Sequence, residues 1–352
     1  MTTKPILVAV DGGSGNVAIR FNMDGKTVSR ISPALVRAGN LQHGAVESGT
    51  TWETIGEHGQ PQTYSVVTSG SNLVNTCDPG YQASAAHRVL VINALAAAGL
   101  GGKDVIIADT LPADQFYGDN GQINQANIQA KKKSLMTEVK NYSGMVEAPR
   151  VIDVKVYPEA VPAYYSAAVL PDMTPNPEFD QISSALVVDV GRFTCDIAEI
   201  NRDYQVVNRR TTEHGIQIML QRLHTLIQDN EAALGLTEAK QISVESMDAI
   251  VRQGYIGSRL ESQAKKRKDV THLIKQAARE MAEIIRTDIR SVHRNLADID
   301  IMLVVGGGAN WIGGKLPHID DYTADWECPV VIPDNPEFAI VRGVHLSMLA
   351  EE

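Results

Sequence analysis

Two largely apolar runs, residues 8–10 and 17–21, stand on either side of Asp-Gly-Gly-Ser-Gly at residues 11–15. Apolar stretches about such a break predict a hairpin of two buried strands. A tight turn by itself needs only Asn-Gly or Asp-Gly. A carboxylate beside backbone N–H groups unencumbered by side chains suits, in addition, a phosphate with its metal ion. Asp24-Gly25 then separates two alternating stretches, which predicts a third strand.

The pattern changes at residues 33–70, which are mixed and rich in Gly, Thr and Ser, and so predict a small, partly irregular subdomain. Apolar spacing predicts a helix over 81–102 closed by Gly101-Gly102, and a buried strand over 103–112 stopped by Pro112. A polar helix over about 124–140 follows, then a strand that turns at Pro158 and Pro162 into another helix. Residues 171–180 hold three prolines and predict a linker. Beyond it, residues 184–211 repeat the opening design of apolar strand, Asp-x-Gly, return strand, polar turn and third strand. The shift that lays Asp189 on Asp11 also lays Gly191 on Gly13 and Val206 on Val28, so the chain reads as duplicated. Coincidence is the alternative, since Asp and Gly are common in turns of any sheet protein. Helices are predicted near 215–229 and 271–296, the second with Ile274, Ala277, Met281, Ile285, Val292 and Leu296 on one face. A last apolar strand runs into Gly306, Gly307 and Gly308.

Composition narrows the function. A chain of 352 residues exceeds the usual single core, which predicts two core units. A net charge of −10 argues against a direct, sequence-independent grip on nucleic acid, so DNA would be reached through a partner. Cys77, Cys195 and Cys328 lack the spacing of a disulfide framework or a zinc site, as expected of a reducing compartment. The first residues carry no charged-then-apolar signal, and the longest near-apolar run, Val89 to Leu100, is too short to span a bilayer. These features predict a soluble, cytoplasmic protein with no membrane contact.

Five segments, in order, carry a resemblance: VDGGSGNVAI, KVYPEAVPAYY, VVDVGRFTCDI, LVVGGGANWI and PEFAIVRGVHLSM. Together they resemble the actin superfamily of ATPases and, more closely, its bacterial plasmid-partitioning branch, the ParM/StbA type. The stretch DTLPADQFYGDNGQINQANIQAKKKSL looks like the Thr-Leu-Pro, Tyr and basic-helix region of that branch. The resemblance implies an actin-like α/β fold of two duplicated domains, each a mixed sheet with flanking helices, around a nucleotide cleft. Domain I would comprise 1–170 and 338–352, with the small subdomain at about 33–70. Domain II would comprise 171–337, with an insert subdomain at about 216–270.

The resemblance also implies roles. Gly12, Gly13, Ser14, Gly15 and Asn16 would form the first phosphate loop, with the N–H groups around Gly13, Ser14 and Gly15 on the β-phosphate. Gly191, Arg192, Phe193 and Thr194 would hold the γ-phosphate. Asp11 and Asp189 would face Mg2+ mostly through its waters, because that ion dehydrates reluctantly. Glu159 would activate the attacking water. Gly306, Gly307, Gly308 and Ala309 would take the adenosine, and Glu213 and Gly215, with His214 between them, would approach the nucleoside. Each has a plainer reading from the residues alone. Either aspartate can cap a turn, Ser14 and Thr194 can be turn residues, and Glu159 can be a helix-start carboxylate favoured by the helix dipole. The glycines can serve a strand-to-helix turn, and His214 can be structural.

One position departs from the family pattern. Ala18 stands where the family's first loop usually carries a lysine, which would weaken nucleotide binding or shift the positive charge to Arg192 or Arg20, Arg192 being the better placed inside the second loop. Basic runs, KKK at 131–133 and KKRKD at 265–269, read first as solvated faces, with a subunit or adaptor contact as the sharper alternative. The expected function is an ATPase, with GTP as the alternative nucleotide, that polymerises head to tail and segregates plasmid DNA through a separate DNA-binding adaptor. The runner-up is a small-molecule kinase, for a sugar or acid, of the same superfamily. A seventy-kilodalton heat-shock chaperone is disfavoured by length.

Overall fold

The computed structural model of the protein describes residues 4–40, 50–56, 58–118, 120–236 and 242–351. Two compact units divide the chain, Met1–Gln181 with Phe338–Glu352, and Ile182–Glu337. The parts of the predicted subdomains at 41–49, 57 and 237–241 lie outside the described residues.

In the first unit the chain forms β1 (Ile6–Gly12), β2 (Asn16–Met23), β3 (Lys26–Pro33), β4 (Val36–Ala38), β5 (Thr51–Ile55) and β6 (Pro61–Val66). There follow α1 (Ala85–Leu95), β7 (Asp104–Leu111), α2 (Ala113–Phe116), α3 (Gln125–Met136), β8 (Val139–Asn141), β9 (Arg150–Pro158) and α4 (Val161–Ala168). The main sheet has the order β3-β2-β1-β7-β9. Alternation decides its faces: Val8, Val10, Val17, Ile19 and Phe21 point to one side and pack with Val89 and Leu90 of α1. Ser84 starts α1, its Oγ accepting the His87 N–H at 3.2 Å. Strand β1 runs antiparallel to β2 and parallel to β7, which runs parallel to β9. The register therefore ends β1, β7 and β9 at one edge.

The small subdomain differs from its sequence reading. Its described residues form a four-stranded sheet, β4-β6-β5-β8, whose last strand comes from beyond α3. The helix expected to reach residue 140 stops at Met136, because Val139 and Lys140 pair with Thr54 and Glu53 of β5. Long-range pairing overrides the local helical pattern there.

The second unit begins with β10 (Ser184–Val190), β11 (Cys195–Asn201), β12 (Val206–Thr212), α5 (Ile216–Asp229), α6 (Glu231–Leu234) and α7 (Met247–Gln253). It continues with β13 (Tyr255–Ile256), β14 (Lys268–Asp269), α8 (Thr271–Val292), β15 (Ile301–Val305), α9 (Ala309–Ile312) and β16 (Val330–Val331). Its sheet has the order β12-β11-β10-β15-β16, antiparallel through the first three strands and parallel after them. The first unit's sheet follows the same sequence of senses, so the duplication is structural. Ile274, Ala277, Met281, Ile285 and Val292 bury the stripe of α8 against this core, and Leu296, beyond the helix end, is buried too. Each Ile, Met, Val or Leu side chain among them contributes about 1.5–3 kcal/mol. The last helix, α10 (Ala339–Ala350), belongs to the first unit, where it packs on β1 and crosses α4. At the crossing, Gly343 leaves no room for a side chain against the Pro162 carbonyl.

Candidate functional site

In the first unit the β1–β2 hairpin closes with Gly12 paired to Val17, leaving Gly13, Ser14 and Gly15 as the tip. The tip is tied down through its carbonyls. Thr76 Oγ1 donates to the Ser14 carbonyl at 2.7 Å, and the Ala34 N–H to the Gly15 carbonyl at 3.0 Å. Asn16 is exposed and opens β2 opposite Pro33. Asp11 lies beside the tip, and the neighbouring strand brings Thr110 level with it. Thr110 Oγ1 lies 3.3 Å from Asp11 Oδ1 and 3.5 Å from Glu159 Oε1. Glu159 itself is buried, with its N–H donating to the Leu111 carbonyl at 2.8 Å. The next residue, Ala160, has φ 76 and ψ −51. These are close to γ-turn values that a non-glycine residue adopts only under strain of about 1–3 kcal/mol. Asp11, Thr110 and Glu159 thus stand together where three adjacent strands end, the edge at which open α/β sheets bind ligands.

Behind Gly12 lies a buried polar cluster that the sequence reading did not assign. Asp109 Oδ1 accepts the N–H of Gly12 at 3.2 Å and that of Thr110 at 2.8 Å, and Lys131 Nζ lies 3.0 Å from Asp109 Oδ2. Lys131 also donates to Gln82 Oε1 at 2.6 Å and to the Thr110 carbonyl, while Gln82 Nε2 donates to the Gly12 carbonyl at 3.2 Å. His87 Nε2 approaches Asp109 Oδ2 at 3.5 Å, and its ring fills the space a Gly12 side chain would need. Burial, followed by the charge of Lys131, lowers the His87 pKa to about 3, so its ring is neutral. Lys131 belongs to the run read first as a solvated face. That reading fits exposed Lys133, but Lys131 is fully buried. A signal was present: Ile128, Lys131 and Leu135 share the buried face of α3 at helical spacing.

The second unit's matching hairpin is tied down differently. The N–H of Gly191 donates to the Thr194 carbonyl at 2.9 Å. The first turn of α5 donates back into the loop, from Gly215 to the Phe193 carbonyl at 3.1 Å, from Ile216 to Gly191 at 3.1 Å and from Gln217 to Arg192 at 2.9 Å. Helix N–H groups that lack intrahelical partners are thereby satisfied. Gly215 is packed so closely that a Cβ would lie 2.6 Å from backbone atoms of Arg192 and Phe193. Its role in the chain is therefore to seat the loop, whatever else it meets. Thr194 Oγ1 donates to Asp196 Oδ2 at 3.0 Å, and the Arg192 guanidinium lies 6.0 Å from the Phe193 ring centre. Glu213 is exposed, and His214 Nδ1 meets the buried Asp288 at 2.6 Å.

The three glycines after β15 divide by role. Gly306 has φ +78, and a side chain there would strike Asp189. Gly308 is pressed against Val190, to whose carbonyl its N–H donates at 2.8 Å. Gly307 meets nothing within 4 Å. Ala309 is buried in the core at the start of α9. Asp189, the 191–194 loop and Gly306 to Gly308 thus gather at one edge of this unit's sheet, while Glu213 stands at its rim.

Among the described residues no three His, Cys, Asp or Glu side chains are grouped to hold a metal by themselves. Mg2+ keeps several waters and needs only one or two carboxylates rather than a dedicated protein cage, and Asp11 and Asp189, each beside its own unit's hairpin tip, are donors of that chemistry. Ala18 is buried directly across from Asp11 in the ladder. Arg20, two residues on along the same strand, donates to Ser29 Oγ at 2.9 Å, and burial with nearby Arg342 lowers its pKa.

Two family descriptions match the sequence: plasmid segregation protein ParM, N-terminal, over residues 6–169, and plasmid segregation protein ParM, C-terminal, over residues 179–347. No curated protein matches it. Among solved structures, the archaeal actin homologue Ta0583 is similar, with a TM-score of 0.72 at 20% identity, covering 99% of this chain and 100% of that one. A 15-stranded ParM filament from Clostridium botulinum gives 0.65 at 17%, covering 99% and 100%. ParM from Bacillus thuringiensis with ATP gives 0.68 at 14%, covering 99% of each. At these identities the likeness establishes an actin-like fold. No helix among the described residues is long and apolar enough to cross a membrane.

Proposed function

The chain belongs to the plasmid-segregation ParM family of actin-like proteins, and from that premise we propose that it is a cytoplasmic ATPase whose nucleotide-dependent filaments move plasmid DNA. The observation that carries the hydrolytic part is the grouping of Asp11, Thr110 and buried Glu159 at the ends of three strands beside a glycine hairpin. A general base must lie within hydrogen-bond reach of its water, directly or through another. Glu159, aimed by its bond to Leu111 and by the turn at Ala160, has that role. The first loop takes the β-phosphate, and the second takes the γ-phosphate with Arg192 supplying positive charge. Asp11 and Asp189 would hold Mg2+ through its waters, and the ion would supply positive charge at the phosphates. Gly307, whose small size nothing in the chain requires, offers its backbone to the nucleoside.

Subunits adding head to tail make a contact that does not close on itself, and so a filament. A net charge of −10 assigns the grip on DNA to a separate adaptor. The partition of domains at 1–170 with 338–352, and 171–337, belongs to the same proposal. Sedimentation of the pure protein with and without ATP and Mg2+ tests it. A pellet that grows with nucleotide above a threshold protein concentration supports the filament. Turnover that appears only when a sugar or acid is added replaces it with the kinase reading.

A further inference from the structure

We propose that Lys131 is a positioning residue for the first phosphate loop, gripping at once the two side chains that hold the N–H and the C=O of Gly12. The geometry is closed. Asp109 Oδ1 accepts the Gly12 N–H at 3.2 Å, and Gln82 Nε2 donates to the Gly12 carbonyl at 3.2 Å. Lys131 Nζ stands 3.0 Å from the other oxygen of Asp109 and 2.6 Å from the oxygen of Gln82. Its remaining donor goes to the carbonyl of Thr110, the residue next to Asp109. Lys131 and Asp109 are both fully buried and Gln82 is nearly so. A buried ion pair contributes little net stability compared with an apolar pair of the same shape, so its presence calls for another reason. Orientation of the two peptide units flanking Gly12 is that reason: the Asp11–Gly12 unit is held through the Gly12 N–H and the Gly12–Gly13 unit through the Gly12 carbonyl, and together they set where the N–H groups of Gly13 to Gly15 point. The side-chain stem of Lys131 reaches the loop from α3, on the face of the sheet opposite Ala18, and fixes the loop from behind where the family's usual lysine would touch phosphate from in front.

The inference rests on the reading of this loop as a phosphate site, and its test keeps the two apart. The informative variant is the double substitution Lys131→Met with Asp109→Asn, which removes both buried charges and leaves none unpaired. Gln82→Leu, which keeps the ion pair, is the second variant in case the double one does not fold. Amide hydrogen exchange is measured first on nucleotide-free protein. Exchange at residues 12–16 is expected to rise about tenfold in either variant, the loss of a charge-assisted buried hydrogen bond, with peptides from 185–200 unchanged. The KM for ATP is expected to rise by a similar factor while kcat changes less than twofold, as for loss of uniform ground-state binding. A folded variant with wild-type exchange at 12–16 overturns the proposal. So does faster exchange over the whole unit, which marks the pair as a stability element only. If wild-type protein binds no ATP, the phosphate-site reading fails, and the exchange measurement still decides whether Lys131 positions the loop.

Discussion

The two hairpins have the same topology and sit at the same place in matching sheets, yet they are held by different means. In the first, Gly12 is gripped by side chains arriving from α1's approach, from β7 and from α3, with charges buried behind it. In the second, the loop carbonyls take the N–H groups of the first turn of α5, and no buried cation is involved among the described contacts. Duplication preserved the ladder and the carboxylate at each tip, while the support was built twice. A backbone support tolerates side-chain change but not a lost glycine, whereas a side-chain support fails when one of the side chains that make it is replaced.

The largest expected effect follows from that difference. Gly215→Ala drives a methyl group to 2.6 Å from backbone atoms that cannot rotate away, and should destabilise the second unit by on the order of 3 kcal/mol. Gly12→Ala meets the His87 ring first and should cost about half as much, since a side chain yields more readily than backbone. Chemical denaturation followed by exchange in peptides of each unit measures both. Equal costs would break the comparison.

A second effect separates the units by pH. The His87 pKa is about 3 in the folded protein, below the ordinary value near 6.5. The unfolded chain therefore binds a proton that the folded one refuses, and stability present above pH 6.5 is lost as pH falls toward 3. Between pH 6.5 and 4.5 this amounts to roughly 2 kcal/mol. His345, with its pKa lowered to about 4 by burial and Arg20, adds in the same direction in the same unit. Melting curves across that window should show a steeper loss for wild type than for His87→Leu; parallel curves would place the proton elsewhere.

Asp189→Ala should weaken Mg2+-dependent ATP binding about tenfold, the loss of a charged contact. Cys195→Ala on the same hairpin should change it little, because that side chain is a buried thiol whose pKa burial pushes well up. Calorimetric titration of both variants decides, and equal affinities would remove Asp189 from the site. The smallest effect on stability belongs to Gly307→Ala, within about 0.5 kcal/mol, because nothing lies within 4 Å of the added methyl. Its ATP affinity should nevertheless fall, and unaltered affinity would detach the nucleoside from this glycine.

Strands and turns were legible where the signal is local. Apolar stretches about Asp-Gly-Gly in one half and Asp-x-Gly in the other predict both hairpins, and the shared spacing of Asp11, Gly13 and Val28 with Asp189, Gly191 and Val206 points to the duplication. What stayed hidden depends on partners far along the chain. Val139 joins a strand because Thr54 awaits it, and Lys131 is buried because Asp109 and Gln82 meet it there. A run of three lysines looks solvated until the helical phase of Ile128 and Leu135 is applied to it. Thr110 stands out in the sequence only as part of Thr-Leu-Pro, and its place between Asp11 and Glu159 comes from the strand register.

If Glu159 activates the attacking water as proposed, hydrolysis of ATP would limit the life of a filament that ATP binding alone would assemble. This dependence is tested most directly by following phosphate release and light scattering together after a pulse of ATP, in wild type and in Glu159→Ala. Wild-type scattering should rise and then decay as phosphate appears. Scattering of the variant should rise and stay, with phosphate release slowed by a factor on the order of 100 to 10,000, as for loss of a general base. Wild-type phosphate release by Glu159→Ala, with scattering that decays on the same schedule, would contradict the account.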